Sequence, residues 1–259
     1  MKKSTLKMMV MAIVAAVGLS ALAAPVSDWT PSGNVTATVG SKNLNPCMTS
    51  VSYDEPYGAI DLWLNLPAGF ALQTSEEFGL GESDLDSDKG DKFNFAVWKK
   101  FVPAPGAYLN FRVKYINGYP VMTANGADML AYDVFVGKSF NWDGPNTITA
   151  ELRAEYWHFI RDANSGMVSI MPSVSHEYKV NTKVTVFEKI GLQWNNELAP
   201  FGELLSGQAN IGVKVKLTKS LTWKVLSVTG MMPLQEADAN DPRKDLKEIA
   251  GVSEFSASF

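Results

Sequence analysis

Apolar residues in this chain recur at every second position rather than in runs. Residues 60–66 read Ile-Asp-Leu-Trp-Leu-Asn-Leu, and residues 109–115 read Leu-Asn-Phe-Arg-Val-Lys-Tyr. Residues 130–136, 148–156 and 209–217 repeat the pattern, the last with Ala209, Ile211, Val213, Val215 and Leu217 against Asn210, Gly212, Lys214 and Lys216. Successive side chains of a strand point to opposite faces, so period two is the signature of a β-strand with one apolar and one polar face. Helical spacing is weak throughout, and the chain reads as all-β.

One long apolar run exists, and it lies at the N-terminus. Lys2, Lys3 and Lys7 precede the uncharged stretch Met8 to Leu19, and Ala21-Leu22-Ala23 places small residues where a signal peptidase reads. The expected organisation is a signal peptide over 1–23, cleaved after Ala23, and one exported domain over 24–259. No cysteine follows the run directly, which argues against a lipoprotein. Cleavage removes three lysines and no acid, so the formal net charge of −4 becomes −7. That balance argues against a nucleic-acid partner, and 46% apolar content argues against disorder. The single cysteine, Cys47, excludes a disulfide scaffold and reads as a small residue in a loop or strand end.

About twelve strand segments follow, near 33–41, 47–54, 58–66, 91–101, 107–116, 129–138, 146–158, 167–179, 182–194, 208–218, 221–230 and 247–259. Pro172 removes a ladder hydrogen bond from the eighth, and Glu188 falls on the apolar face of the ninth. Connections after even-numbered segments are short: 54–57, 102–106, 180–181 and 219–220, with a moderate one at 139–146. Those after odd-numbered segments are often long: 68–90, 118–127, 195–207 and 231–246. Short turns at one end and long loops at the other describe a transmembrane, antiparallel, up-and-down β-barrel. An even strand number puts both termini at the short-turn, periplasmic end.

A soluble sandwich also alternates, so the composition of the polar face matters. It carries charge at mid-strand: Arg112, Lys114, Asp133, Glu151, Arg153, Glu155, Lys189, Lys214, Lys216, Lys224 and Glu254. In a barrel these side chains line a hydrated lumen while the apolar face meets lipid, and closure leaves no strand edge unpaired. Tyr108, Tyr156, Trp157, Trp194 and Trp223 lie near segment ends, where interfacial girdles are expected.

The terminal segment Gly251-Val252-Ser253-Glu254-Phe255-Ser256-Ala257-Ser258-Phe259 puts Phe255, Ala257 and Phe259 on one face. It resembles the C-terminal assembly signal of bacterial outer-membrane β-barrel proteins, with Ala257 where a larger residue is common. The resemblance implies insertion by the barrel assembly machinery. The first strand region, Val35 to Lys42, resembles the start of small porin-like (TorF-type) barrels. Partners implied are outer-membrane lipid and lipopolysaccharide.

A lipid-hydrolase barrel places His and Ser two residues apart on one strand face. Ser175 is adjacent to His176 and points the other way, and His158 is followed by Phe159 and Ile160. Neither meets the hydrogen-bond reach that nucleophilic catalysis needs. The loop Asp84-Leu85-Asp86-Ser87-Asp88-Lys89-Gly90-Asp91 starts like a calcium loop, but glycine comes one position late and Phe95 stands where the closing carboxylate belongs. A solvated acidic loop is the simpler reading. No enzyme, metal or cofactor is expected.

The expected function is porin-like: passive diffusion of small hydrophilic solutes across the outer membrane. The inward cations (Lys92, Arg112, Lys114, Arg153, Lys189, Lys214, Lys216, Lys224) slightly outnumber the inward acids (Asp61, Asp133, Glu151, Glu155, Glu177, Glu254), which implies at most weak anion preference. Two alternatives stand beside it. One is a closed structural or adhesive barrel with a salt-bridged lumen, because twelve strands lie between filled eight-stranded barrels and open sixteen-stranded ones. The other is a soluble exported β-sandwich.

Overall fold

The computed structural model describes residues 30–45, 50–53, 56–80, 92–119, 127–160, 166–195, 204–234 and 247–259. The signal segment, Cys47, the 84–91 loop and residues 235–246 lie outside them.

The period-two segments form a closed antiparallel barrel of twelve strands. In chain order these are β1 (Ser32–Gly40), β4 (Tyr57–Asn65), β5 (Phe70–Gly79), β6 (Lys92–Ala104), β7 (Ala107–Tyr119), β8 (Ala127–Trp142), β9 (Asn146–Phe159), β10 (Gly166–Lys179), β11 (Val184–Asn195), β12 (Leu204–Lys216), β13 (Leu221–Pro233) and β14 (Glu248–Ser258). The two remaining strands, β2 (Asn43–Asn45) and β3 (Ser50–Tyr53), pair only with each other between β1 and β4. Each barrel strand pairs with its neighbour in sequence, and β1 closes the ring by pairing with β14 from Asn34↔Ser258 to Gly40↔Val252. The Gly33 and Phe259 backbones exchange hydrogen bonds of 3.0 and 3.1 Å at that seam.

The expected strand number is right, but one expected member is wrong and one barrel strand was missed. The 47–54 segment stands outside the barrel, in the β2–β3 hairpin. The missing strand is β5, which lies inside the stretch expected to be the 68–90 loop. Its outward positions include Thr74 and Glu76, so the alternation that marks the other strands is blurred there. The expected short turn at 54–57 does not join two barrel strands: β3 ends at Tyr53 outside the barrel, and Tyr57 already begins β4. The actual turn is 66–69, where the Leu66 amide donates to the Phe70 carbonyl at 2.9 Å. Ala68 (φ 58°) and Gly69 (φ 75°) supply its left-handed backbone.

The other short turns lie at 105–106, 143–145, 180–183 and 217–220, all at the end of the barrel where the Gly33–Phe259 seam closes. The strand ends that the longer connections join lie at the opposite end. Pro172 acts as its chemistry requires. The β10–β11 ladder runs Ile170↔Trp194 and then Ser173↔Gly191, skipping Met171 and Pro172 without a change of register.

Candidate functional site

The barrel ladders sort every side chain to one of two faces. Val35, Val39, Val97, Val113, Val136, Leu152, Val174, Ile190, Leu192, Ile211 and Leu226 are exposed on the outer face. Outward aromatics gather at both ends of this band. Phe101, Phe111, Phe140, Trp142, Tyr178, Phe255 and Phe259 lie toward the short turns. Tyr132 and Tyr156 stack at 6.3 Å toward the long loops. Trp194 and Trp223 also face outward, with Trp223 stacked on Phe255 at 5.2 Å. Tyr108 and Trp157, expected in the girdle, instead face inward. Tyr108 donates to Glu151 at 2.5 Å, and Trp157 is buried.

Register places all eleven expected lumen residues on the inner face: Arg112 and Lys114 on β7, Asp133 on β8, Glu151, Arg153 and Glu155 on β9, Lys189 on β11, Lys214 and Lys216 on β12, Lys224 on β13 and Glu254 on β14. Arg112, Asp133 and Glu155 share one row across three strands. Asp133 and Glu155 have side chains 0% exposed. Arg112 clamps Asp133 through Nε at 2.7 Å and Nη2 at 2.9 Å. Arg153 reaches both acids at 2.7 Å, and Arg112 lies 3.5 Å from Glu155. Trp98 and Phe135, stacked at 5.3 Å, roof this cluster, with Arg112 4.8 Å from the Trp98 ring and Arg153 5.1 Å from that of Phe135. The row continues through Ser169 and Asn195, and neutral side chains of adjoining rows join them. Ser169 and Gln193 donate to Asn195 Oδ1 at 2.8 and 2.9 Å, and Gln208 donates to Gln193 at 3.0 Å.

Four more ion pairs form on the inner face. Lys92 meets Glu77 at 3.0 Å, Lys214 meets Glu177 at 2.7 Å, Lys189 meets Glu151 at 3.5 Å, and Lys224 meets Glu254. Each of these pairs joins strands that are neighbours or next neighbours in the wall. The charges are neutralised sideways, along the wall. A cavity of about 300 Å³ remains inside, lined among others by Asp61, Glu77, Lys92, Asn94, Lys114 and Glu254.

Three kinds of inward residue escaped the sequence reading. Gln73, Ser75 and Glu77 belong to the unrecognised β5. Trp63, Trp98 and Phe135 share the parity of the inward charges, and the spacing of Lys92, Asn94, Ala96, Trp98 and Lys100 carries that signal. Ile116, Met129, Ala131, Trp157 and Met167 form a buried apolar layer inside the wall toward the long-loop end, so the inner face is not uniformly polar. Lys100, Glu77 and Glu248 join the inward charges, which narrows the cationic surplus.

The histidines stand apart from this interior. His176 faces outward near the short turns, 3.1 Å from Glu188 and 2.9 Å from Asn146. Glu188 is thus outward, as its position on the apolar face implied, and stands beside His176 near the barrel rim. Among the described residues no three His, Cys, Asp or Glu side chains converge in a metal-binding group.

No family model and no curated protein matches the chain. Solved structures do. The NanC porin aligns at a TM-score of 0.56 with 9% identity, over 86% of this chain and 98% of that one. The KdgM porin aligns at 0.53 with 8% identity, over 87% and 99%. An outer membrane channel from Pseudomonas putida F1 aligns at 0.53 with 10% identity, over 90% and 96%. Likeness at such low identity establishes a shared fold, the closed twelve-stranded barrel, along nearly the whole of each of those chains.

Proposed function

We propose that this chain is an outer-membrane channel of the small porin-like type, through which small hydrophilic solutes diffuse passively. The observation that carries this reading is the sideways pairing of the inward charges. A barrel built to be shut would couple opposite walls, whereas these ion pairs join strands no more than two apart. The three solved channels that share the fold support the same reading.

Membrane placement is supported by the outer face. Strand β1 has nine residues; at ~3.3 Å per residue and a tilt of about 40° such a strand stands ~23 Å tall, close to the ~25 Å apolar band of outer-membrane barrels. The proposal includes export behind a signal peptide cleaved after Ala23. It includes insertion by the barrel assembly machinery through the Phe255–Ala257–Phe259 face, and contact with phospholipid and lipopolysaccharide. The inward charges set selectivity, with near-neutral balance giving at most weak anion preference.

Purified, refolded protein in a planar bilayer tests this directly. The expected result is stepwise conductance with a reversal potential near zero in a salt gradient. A preparation that shifts on a denaturing gel when heated, and so is folded, yet conducts nothing would refute the channel. That outcome is the one favoured by the second reading, a closed structural or adhesive barrel. The buried Arg112–Asp133–Arg153–Glu155 cluster and the modest cavity speak for it.

A further inference from the structure

The inner cavity lies against β1, β4, β5, β6, β7 and β14, and its charges are sorted. Asp61 on β4, Glu77 on β5 and Glu254 on β14 stand along one arc of the wall. Lys92 on β6 and Arg112 and Lys114 on β7 stand along the next. Four of these six are already in ion pairs: Glu77 with Lys92, Arg112 with Asp133, and Glu254 with Lys224. The other two have no ion-pair partner within 4 Å among the described residues. The Asp61 carboxylate accepts the Gln73 amide at 2.7 Å, and the Lys114 ammonium stands 5.3 Å over the Trp157 ring.

A third group points the same way. Asn94 lines the cavity and is 7% exposed. Its amide nitrogen donates to Ser75 at 3.0 Å and to Glu77 at 3.2 Å, while its buried Oδ1 accepts no hydrogen bond from the described residues. A buried acceptor without a donor is a cost that a ligand bearing an N–H can remove. Asp61, Ser75 and Asn94 occupy one row of the register on three consecutive strands.

We propose that this cavity is a solute subsite for a small zwitterion of the amino-acid class. Its ammonium is held by Asp61 and Asn94 Oδ1, and its carboxylate by Lys114. An ammonium brings three donors, enough for both acceptors at once. A simple anion placed here meets Asp61, Glu77 and Glu254; a simple cation meets Lys92, Arg112 and Lys114. A molecule with both signs satisfies Asp61 and Lys114 without adding net charge to the cavity. The volume sits at the low end of small-molecule sites, which suits a solute of a few non-hydrogen atoms. The subsite rests on the channel reading for its purpose in transport.

Isothermal titration of the folded barrel in detergent tests the chemistry apart from conduction. The probes are glycine, methylammonium and acetate. Glycine is expected to bind at least tenfold more tightly than either singly charged probe. Asp61→Asn and Lys114→Gln should each weaken glycine at least tenfold while keeping the heat-dependent gel shift. Equal binding of all three probes, or no glycine binding, overturns the proposal; if a variant fails to fold, the comparison of probes on the unaltered protein decides alone. Bilayer conductance measured in parallel separates the two readings. Glycine binding by a silent barrel overturns the channel and leaves the subsite, while conductance without glycine binding does the reverse.

Discussion

Asp133→Asn isolates the worth of the buried charge cluster. The change keeps the shape of the side chain and removes its charge. In the native wall the Asp133 carboxylate is 0% exposed and takes two bonds from Arg112, at 2.7 and 2.9 Å, and one from Arg153 at 2.7 Å. After the change two guanidiniums share Glu155 as their only carboxylate within the cluster. Taking one partner from a buried ion pair costs about 3–5 kcal/mol, because the charge left behind stays desolvated. Asparagine still offers a carbonyl acceptor, and Arg112 and Arg153 keep 11% and 18% exposure to the lumen. The cost should therefore fall at the lower end, about 3 kcal/mol. Urea unfolding of the barrel in lipid vesicles, followed by tryptophan fluorescence, measures it. Adding Arg153→Met returns the cluster to one guanidinium and one carboxylate, Arg112 and Glu155, already 3.5 Å apart. The double variant should then be more stable than the sum of the two single changes implies, by at least about 1 kcal/mol. A loss under about 0.5 kcal/mol for Asp133→Asn, or strict additivity in the cycle, refutes the idea that this cluster braces β7, β8 and β9.

Three further changes probe the wall itself. Leu152→Arg puts a cation at the middle of the outward face and should destabilise the vesicle-inserted barrel by about 2–4 kcal/mol, whereas Ser173→Arg, one row over and inward, should cost far less in the same unfolding assay. Pro172→Val restores the missing amide beside β11 and should add about 1 kcal/mol, with the gain visible as slowed hydrogen exchange at the β10–β11 seam. Gly33→Ala sets a Cβ 2.1 Å from the Trp63 carbonyl oxygen, a backbone atom that cannot swing away, so it should lower the yield of the heat-shifting folded form on refolding.

How much of this was readable from sequence depended on which face of a strand carried the signal. Where the outer face was uninterrupted, as with Leu152, Ala154 and Tyr156 of β9, parity alone assigned Glu151, Arg153 and Glu155 to the interior. Where the outer face carried Thr74 and Glu76, the same logic lost β5, and with it Gln73, Ser75 and Glu77. The count stayed at twelve because the 47–54 segment, which pairs only within its own hairpin, took the place of the lost strand. From β6 onward the parity was unaffected, so the expected ends of the turns and loops were right for the later strands. What parity could not supply was partnership. Period two says that Arg112 and Asp133 face inward; it does not say that they stand in one row, since that needs the register. Parity did separate Trp157, inward beneath Lys114, from Tyr156, outward against Tyr132; the girdle expectation for Trp157 followed its nearness to a strand end and overlooked its face, and neither signal gives its neighbours in the ladder. The candidate subsite lay beyond sequence for the same reason: Asp61 and Asn94 are separated by the one strand that the alternation failed to mark.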